Sequence, residues 1–263
     1  MSIYLTGDTH GDFFFDGYQP KVPLQRVAYC KEHLTKEDVL IILGDFGYLF
    51  YPDLDTISTS PYLSVSRMID LLHEVRKGRE EEAEKLRCLQ DGVNGAIILF
   101  VGGNHENWDR LDNLPVQQLY GSTVGIVGEG IYHLKNGNVY EIGGKRFLAF
   151  GGASSTDKDL RIPAISWWAR EVPSQEELDN ALHNMRDQQV DVILSHTCPK
   201  AIKKKIKSQW IDRRFHDPTE DMLQTLMEQV KNARYHWYFG HFHENQELGA
   251  CFTLLYGNVV KLD

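Results

Sequence analysis

Five apolar runs in this chain, Ser2 to Thr6, Val39 to Leu43, Ala96 to Val101, Val190 to Leu194 and Tyr235 to Phe239, each give way to a Gly or Ser followed by Asp, Asn or His. The runs are rich in Ile, Leu, Val and aromatic residues and lack polar–apolar alternation, so they read as strands buried on both faces. Strands of that kind belong to parallel sheets covered by helices, which gather functional groups just beyond the strands' carboxyl ends. The five junctions are Gly7-Asp8-Thr9-His10, Gly44-Asp45, Gly103-Asn104-His105-Glu106, Ser195-His196 and Gly240-His241-Phe242-His243. Any one of them is compatible with ordinary turn chemistry, since Gly and Asp are frequent in turns. Together they deliver carboxylates, imidazoles and an amide to one edge, which turns do not require.

Between the first two runs a helix is expected over Leu24 to Leu34, giving a βαβ unit with a right-handed crossover. An aromatic loop through Tyr51 follows Asp45, and a helical stretch from Pro61 to Leu89 is closed by Gly92 and Gly95. Its second half, Arg76 to Arg87, carries the mixed charge of a solvated face. From Thr123 to Phe150 short strands alternate with Gly-rich turns, with Asn136-Gly137 as a hairpin signal, predicting antiparallel strands at a sheet edge or in a second sheet. Helices over Ser174 to Asp187, with Ser174 and Glu177 as a capping box, and over Thr219 to Val230 flank the fourth run and its sequel. Short β segments return from Cys251 to Leu262. A mixed sheet system with helices outside fits this order.

With 263 residues, 42% of them hydrophobic, the chain can bury a sizeable core. A single domain over 1–263 is expected, because the junctions run from Asp8 to His243 and a site built from both must fold with both. No apolar run approaches the roughly 18 residues of a membrane span. No basic region leads into an apolar leader stretch, so a cytoplasmic protein is expected. Cys30, Cys88, Cys198 and Cys251 form no CxxC pair, which argues against a thiolate zinc site or a disulfide framework. A net charge of −9 weighs against general attraction to nucleic acid or anionic membranes. The local exception is Lys200, Lys203, Lys204, Lys205, Lys207, Arg213 and Arg214, either a solvated face or a means of concentrating a phosphate-bearing substrate.

Gly152 to Pro173 reads as neither strand nor helix, and long irregular segments inside compact domains usually serve function. Trp167 and Trp168 argue that it is ordered, and Arg161 and Trp168 are expected in a wall of the substrate site. The competing reading is that the indoles only cover core edges.

Asp8 and His10, two residues apart on an extended or gently turning backbone, leave it on the same side and can reach one cation; His241 and His243 repeat the spacing. Mixed Asp, Asn and His donors suit Mn, Fe or Zn better than Ca or Mg. Seven candidate ligands exceed one tetrahedral ion and fit two ions sharing a carboxylate. Two ions roughly 3.5–4 Å apart are the arrangement used for in-line displacement at phosphorus.

Asp-x-His, Gly-Asp, Gly-Asn-His-Glu, a lone His after a strand and Gly-His-x-His, in that order, resemble the calcineurin-like metallophosphoesterase superfamily over nearly the whole chain. The resemblance implies an α/β fold, a four-layer αββα sandwich of two mixed β-sheets flanked by helices. It also implies a dinuclear centre in which Asp8, His10 and His243 hold one ion, Asp45 bridges, and Asn104, His196 and His241 complete the other. His105 would then protonate or stabilise the leaving oxygen. Glu106 would orient His105. Many protein phosphatases of the superfamily continue Gly-Asp-x-x-Asp-Arg-Gly, whereas here Asp45 is followed by Phe46-Gly47-Tyr48-Leu49. That departure argues against a phosphoserine or phosphothreonine protein phosphatase and leaves phosphate binding to Asn104, His105 and a loop Arg.

The expected activity is hydrolysis of phosphomonoester or phosphodiester bonds by metal-activated hydroxide. Two divalent ions, with Mn favoured over Fe or Zn, would act on a small phosphorylated molecule or nucleotide. The alternatives are a nuclease holding a single strand through the Lys203 to Arg214 segment and the aromatic loop, and a non-catalytic metal-binding scaffold. Among histidines outside the junctions only His216, near the basic segment, invites a test; Asp12 reads as an Asx turn or helix cap.

Overall fold

The computed structural model describes residues 1–11, 21–187, 189–208, 211–230 and 234–262. Asp12 lies outside these residues. The first half of the chain folds as β1 (Ile3–Thr6), α1 (Lys21–His33), β2 (Val39–Ile42), α2 (Leu54–Thr59), α3 (Val65–Gly92), β3 (Ile97–Phe100) and α4 (Trp108–Asp112). A run of short strands follows: β4 (Val116–Leu119), β5 (Ser122–Gly128), β6 (Ile131–Leu134), β7 (Val139–Ile142) and β8 (Lys145–Phe150). Then come α5 (Gln175–Asp187), β9 (Val192–Ser195), α6 (Lys200–Lys203), α7 (Pro218–Gln229), β10 (His236–Phe239), β11 (Gln246–Glu247), β12 (Phe252–Leu254) and β13 (Val260–Leu262).

The strands form two mixed sheets, ordered β13-β1-β2-β3-β6-β5-β4 and β11-β12-β10-β9-β8-β7. In the first sheet β1, β2, β3 and β6 are parallel neighbours, with β13 antiparallel at one edge and β5 and β4 at the other. In the second, β8, β9, β10 and β12 are parallel, edged by antiparallel β7 and β11. Alternate residues of one strand face opposite layers, which is why the five runs are apolar throughout. Leu5, Ile41, Leu99 and Val101 meet Phe147, Ala149 and Leu194 between the sheets. Tyr4, Leu40, Ile42, Ile98 and Phe100 pack outward against Cys30 of α1 and Leu89 of α3. Leu148, Ile193, Trp237 and Phe239 pack outward against α5 and α7 through Leu178, Ala181, Leu223 and Leu226. Helix, sheet, sheet and helix form the four layers implied by the motif order.

Two local expectations are corrected. Asn136-Gly137 is not a hairpin turn, because β6 and β7 belong to different sheets. Asn136 Oδ1 instead accepts the Gly151 N–H at 2.7 Å and Gly137 N donates to Ala149 O at 2.8 Å, so the pair crosses the chain between layers. The β4–β5 hairpin turns at Tyr120-Gly121 and the β7–β8 hairpin at Gly143-Gly144, and each pair has positive φ at both residues, as a type I′ turn needs. The second correction is the long helix. It starts at Val65, capped by Ser64 Oγ accepting from Arg67 N, and is preceded by the separate α2. The Ser174–Glu177 capping box forms in both directions, at 2.7 and 3.2 Å.

Candidate metal centre

All five junctions lie just past the carboxyl ends of parallel strands, those after β1, β2 and β3 from one sheet and those after β9 and β10 from the other. Three of the glycines in them, Gly44, Gly103 and Gly240, leave space for candidate ligand side chains of other strands. A Cβ on Gly44 would collide with the His196 imidazole, one on Gly103 with Asp45 Oδ1, and one on Gly240 with Asp8 Oδ1. His10, Asp45, His241 and His243 adopt positive φ, a strained conformation for non-glycine residues that concentrates where tertiary structure holds functional side chains.

Asp8, His10 and His243 offer one donor group, and Asp8, Asp45 and His196 another; within each, one ligand atom per residue lies within 4.8 Å of the others. His243 Nε2 is 3.3 Å from Asp8 Oδ2 and 3.1 Å from His10 Nε2, while His10 Nδ1 is 3.8 Å from Asp45 Oδ2. On the other side His196 Nε2 lies 3.3 Å from Asp45 Oδ1, 3.0 Å from Asn104 Oδ1 and 3.2 Å from His241 Nδ1. The structure therefore brings together Asp8, His10, Asp45, Asn104, His196, His241 and His243. His196 Nδ1 faces the Leu43 carbonyl at 2.9 Å, and a carbonyl only accepts. Nδ1 thus carries a proton, and Nε2 is the atom turned to the centre. The His243 ring stacks on Tyr256, centroids 4.7 Å apart.

The electrostatics follow from packing two carboxylates among imidazoles out of water. Burial would push Asp8 up, but the hydrogen bond from His243 and the charges of His196 and His243 hold it at about 2. Asp45 is likewise driven well below the usual carboxylate range against its burial, chiefly by His196 and His105. Burial opposes the charged form of His196, yet Asp45 and Asp8 raise it to about 10; burial and the neighbouring His196 push His241 down to about 3. Two buried carboxylates sharing several imidazoles, with ring nitrogens face to face at 3.1 Å, form a donor set suited to divalent cations with borderline nitrogen preference.

His105 stands at the rim, its backbone N–H donating to Asp45 Oδ1 at 2.7 Å. Its ring is not oriented by Glu106, contrary to expectation. The Glu106 side chain points inward, 1% exposed, and accepts the backbone N–H groups of Phe46 at 2.6 Å and Gly47 at 3.1 Å. It pins the loop that carries Asp45, while burial and the Asp45 charge raise its carboxyl to about 8. Arg161 faces His105 instead: Nη2 lies 3.1 and 3.2 Å from the two ring nitrogens and ion-pairs with Asp157 at 2.9 Å. Burial, opposed by Asp45 and reinforced by Arg161, lowers His105 to about 4.

Two clefts of about 300 Å³ each share His105 as a lining residue. One runs past His10, Tyr48, Phe50, Tyr51 and Lys85; the other past Asn104, Arg161, Lys203, Phe215, His241 and His243. Trp168 lines neither among the described residues. It is buried edge-on to Phe50, its Nε1 donating to Asp109 Oδ2 at 2.9 Å, because an indole gains more by packing than by facing a polar rim. Much of the basic segment is engaged structurally. Lys203 pairs with Glu220 at 2.7 Å, Lys200 with Asp221 at 3.0 Å, and Arg213 donates to the Ile206 carbonyl at 2.9 Å. His216 is exposed beside Asp221 and lines neither cleft. Ser155, Asp157 and Glu171, next to the centre or its rim, were not singled out by sequence. The only signal for them was the irregular segment in which they sit.

The profile of the calcineurin-like phosphoesterases matches residues 1–245. A lariat debranching enzyme of Schizosaccharomyces pombe is 30% identical over 183 residues, covering 66% of this chain and 34% of that protein. The chain thus spans about a third of the length of the curated relative it matches.

Proposed function

From the premise that this chain belongs to the calcineurin-like phosphoesterase family, we propose that it is a dinuclear metal-dependent phosphodiesterase formed by one domain over 1–263. Asp8, His10 and His243 would hold one divalent ion and Asn104, His196 and His241 the other, with Asp45 shared. The mixed Asp, Asn and His donors suit Mn, Fe or Zn better than Ca or Mg, and of these we propose Mn. When bound, such ions lower the pKa of a water and neutralise phosphoryl oxygens. Asn104 and Arg161 orient the phosphoryl group from the cleft they line. His105 faces the leaving oxygen, and because burial lowers its pKa to about 4 it acts as a neutral imidazole, stabilising the charge that develops there through an N–H hydrogen bond.

The observation that carries the choice of a diester is the meeting of two clefts at His105. A monoester has one ester arm, and a diester has two to place. With Mn²⁺ added, bis(p-nitrophenyl) phosphate should be hydrolysed with a kcat/KM well above that for p-nitrophenyl phosphate, and Asp45→Asn should lose nearly all of it. No turnover of any phosphoester with two ions bound would sink the enzyme reading. For the natural substrate we favour a nucleotide or similar small phosphorylated molecule.

The relative named for lariat debranching supports a second reading, a nuclease. A steep fall of polynucleotide cleavage with added salt would favour it. The paired lysines of the basic segment weigh against it. No helix among the described residues is long and apolar enough to cross a membrane. All four cysteines are free, which supports a reducing, cytoplasmic setting.

A further inference from the structure

We propose that Ser155 and Glu171 are positioning residues that decide which end of the Asn104 side chain faces the metal centre; the inference rests on the reading of Asn104 as a ligand. An asparagine amide has two ends of nearly equal shape and opposite polarity, and only the oxygen can meet a cation. In this chain the orientation is forced by a short chain of donors and acceptors. Glu171 ends a tight turn over Ala169–Glu171 and turns both carboxylate oxygens to Ser155. The Ser155 N–H donates to Oε1 at 2.6 Å and the Ser155 hydroxyl donates to Oε2 at 2.7 Å.

A hydroxyl has one proton. With it committed to Glu171, Ser155 Oγ can meet Asn104 only as an acceptor, and Asn104 Nδ2 donates to it at 3.1 Å. The amide oxygen is therefore turned the other way, 3.0 Å from His196 Nε2. Asn104, Ser155 and Glu171 are all buried, so solvent does not compensate an inverted amide. The inverted form would set oxygen against an oxygen with no proton to give and aim NH₂ at the centre. This gives the irregular segment after β8 a function apart from any contact with substrate.

The test is Mn²⁺ titration calorimetry on the full chain. Ser155→Ala and Glu171→Gln should each weaken one of the two ions by about 10–100-fold, the usual effect of removing a partner behind a ligand. The other ion should stay within about twofold of its original affinity, which serves as the folding control. Glu171→Gln has the same size as the original. Its amide can donate to Ser155 Oγ, which frees the hydroxyl proton and removes the constraint that turns Asn104 Nδ2 toward it. In an Asn104→Asp background the two ends of the ligand are equivalent, and adding Ser155→Ala should bring no further loss.

Unchanged affinity for both ions in Ser155→Ala and Glu171→Gln overturns the proposal, as does a Ser155→Ala loss that persists in full in Asn104→Asp. Should Ser155→Ala lose both ions, the isosteric Glu171→Gln decides alone. Unchanged binding of both ions by Asn104→Ala would refute Asn104 as a ligand, and that failure is distinct from failure of the relay.

Discussion

Gly103→Ala adds one methyl group and probes how tightly the centre is built. A Cβ at this position would overlap Asp45 Oδ1 and the Asp45 backbone nitrogen and lie 2.9 Å from Asp45 Cα. Gly103 is not among the glycines with positive φ, so alanine carries no backbone penalty and the effect comes from contact alone. Carbon–carbon contact becomes favourable near 3.5–4 Å, so Asp45 must withdraw by roughly 1 Å. Asp45 is the wrong residue to displace: it accepts the His105 N–H at 2.7 Å and stands 3.3 Å from His196 Nε2. A misplacement of about 1 Å at a reacting centre costs on the order of 10²-fold in rate. That corresponds to about 2.7 kcal/mol of barrier, while overpacking removes a further ~1–3 kcal/mol of stability. The assay is kcat/KM on bis(p-nitrophenyl) phosphate at saturating Mn²⁺, together with a melting curve. The control is Gly128→Ala, whose Cβ would meet nothing within 4 Å. We expect a loss near a hundredfold for Gly103→Ala and a change under twofold for Gly128→Ala. If Gly103→Ala keeps activity within threefold and binds both ions, the glycines are not spacers for ligands.

Four further outcomes are expected. In the metal-free chain His196, raised from 6.5 to about 10, lends stability that is complete below pH 6.5 and fades as pH rises through about 10. The melting temperature should fall over that window while Mn²⁺ affinity climbs as the competing proton is lost, and a flat affinity between pH 6 and 9 counts against the assignment. Arg161→Met removes a charge that, after burial, helps hold His105 near 4, so the His105 ring protons should titrate at higher pH by NMR; an unmoved titration refutes the pairing. Glu106→Gln leaves one of the Phe46 and Gly47 N–H groups unpaired and should cost about 1–3 kcal/mol in urea unfolding. The wild-type carboxyl, raised from 4.5 to about 8, favours folding most below pH 4.5 and progressively less up to pH 8, a dependence the glutamine should abolish. Trp168→Ala should lower stability by about 3–5 kcal/mol while leaving KM unchanged, and a KM effect without destabilisation would return Trp168 to the substrate wall.

Where the sequence was legible, the constraint was local. The runs ending at Thr6, Leu43, Val101, Leu194 and Phe239 are apolar on both faces because helices and a second sheet cover them, and an uninterrupted apolar run shows that without knowledge of the partners. Asn136-Gly137 misled because its positive φ suits a hairpin and an inter-sheet crossing equally well; hydrogen bonds to Gly151 and Ala149 make the choice. Glu106 misled because the resemblance implied a carboxylate orienting His105, whereas the two neighbours point apart, one to the cleft and one to the Phe46 and Gly47 backbone.

By itself the sequence determined the two-faced strands and the ligand types at their ends, because strand burial and the strand-end turn are written within a few neighbouring residues. The tertiary structure alone decided that His105 answers to Arg161, that Trp168 belongs to the core, that Gly44, Gly103 and Gly240 make room for His196, Asp45 and Asp8 of other strands, and that Ser155 and Glu171 stand behind Asn104. These pairings join residues far apart in the chain, and they arise from how two sheets and their loops pack. A hydrogen bond or a steric gap between distant segments leaves no periodicity in either one.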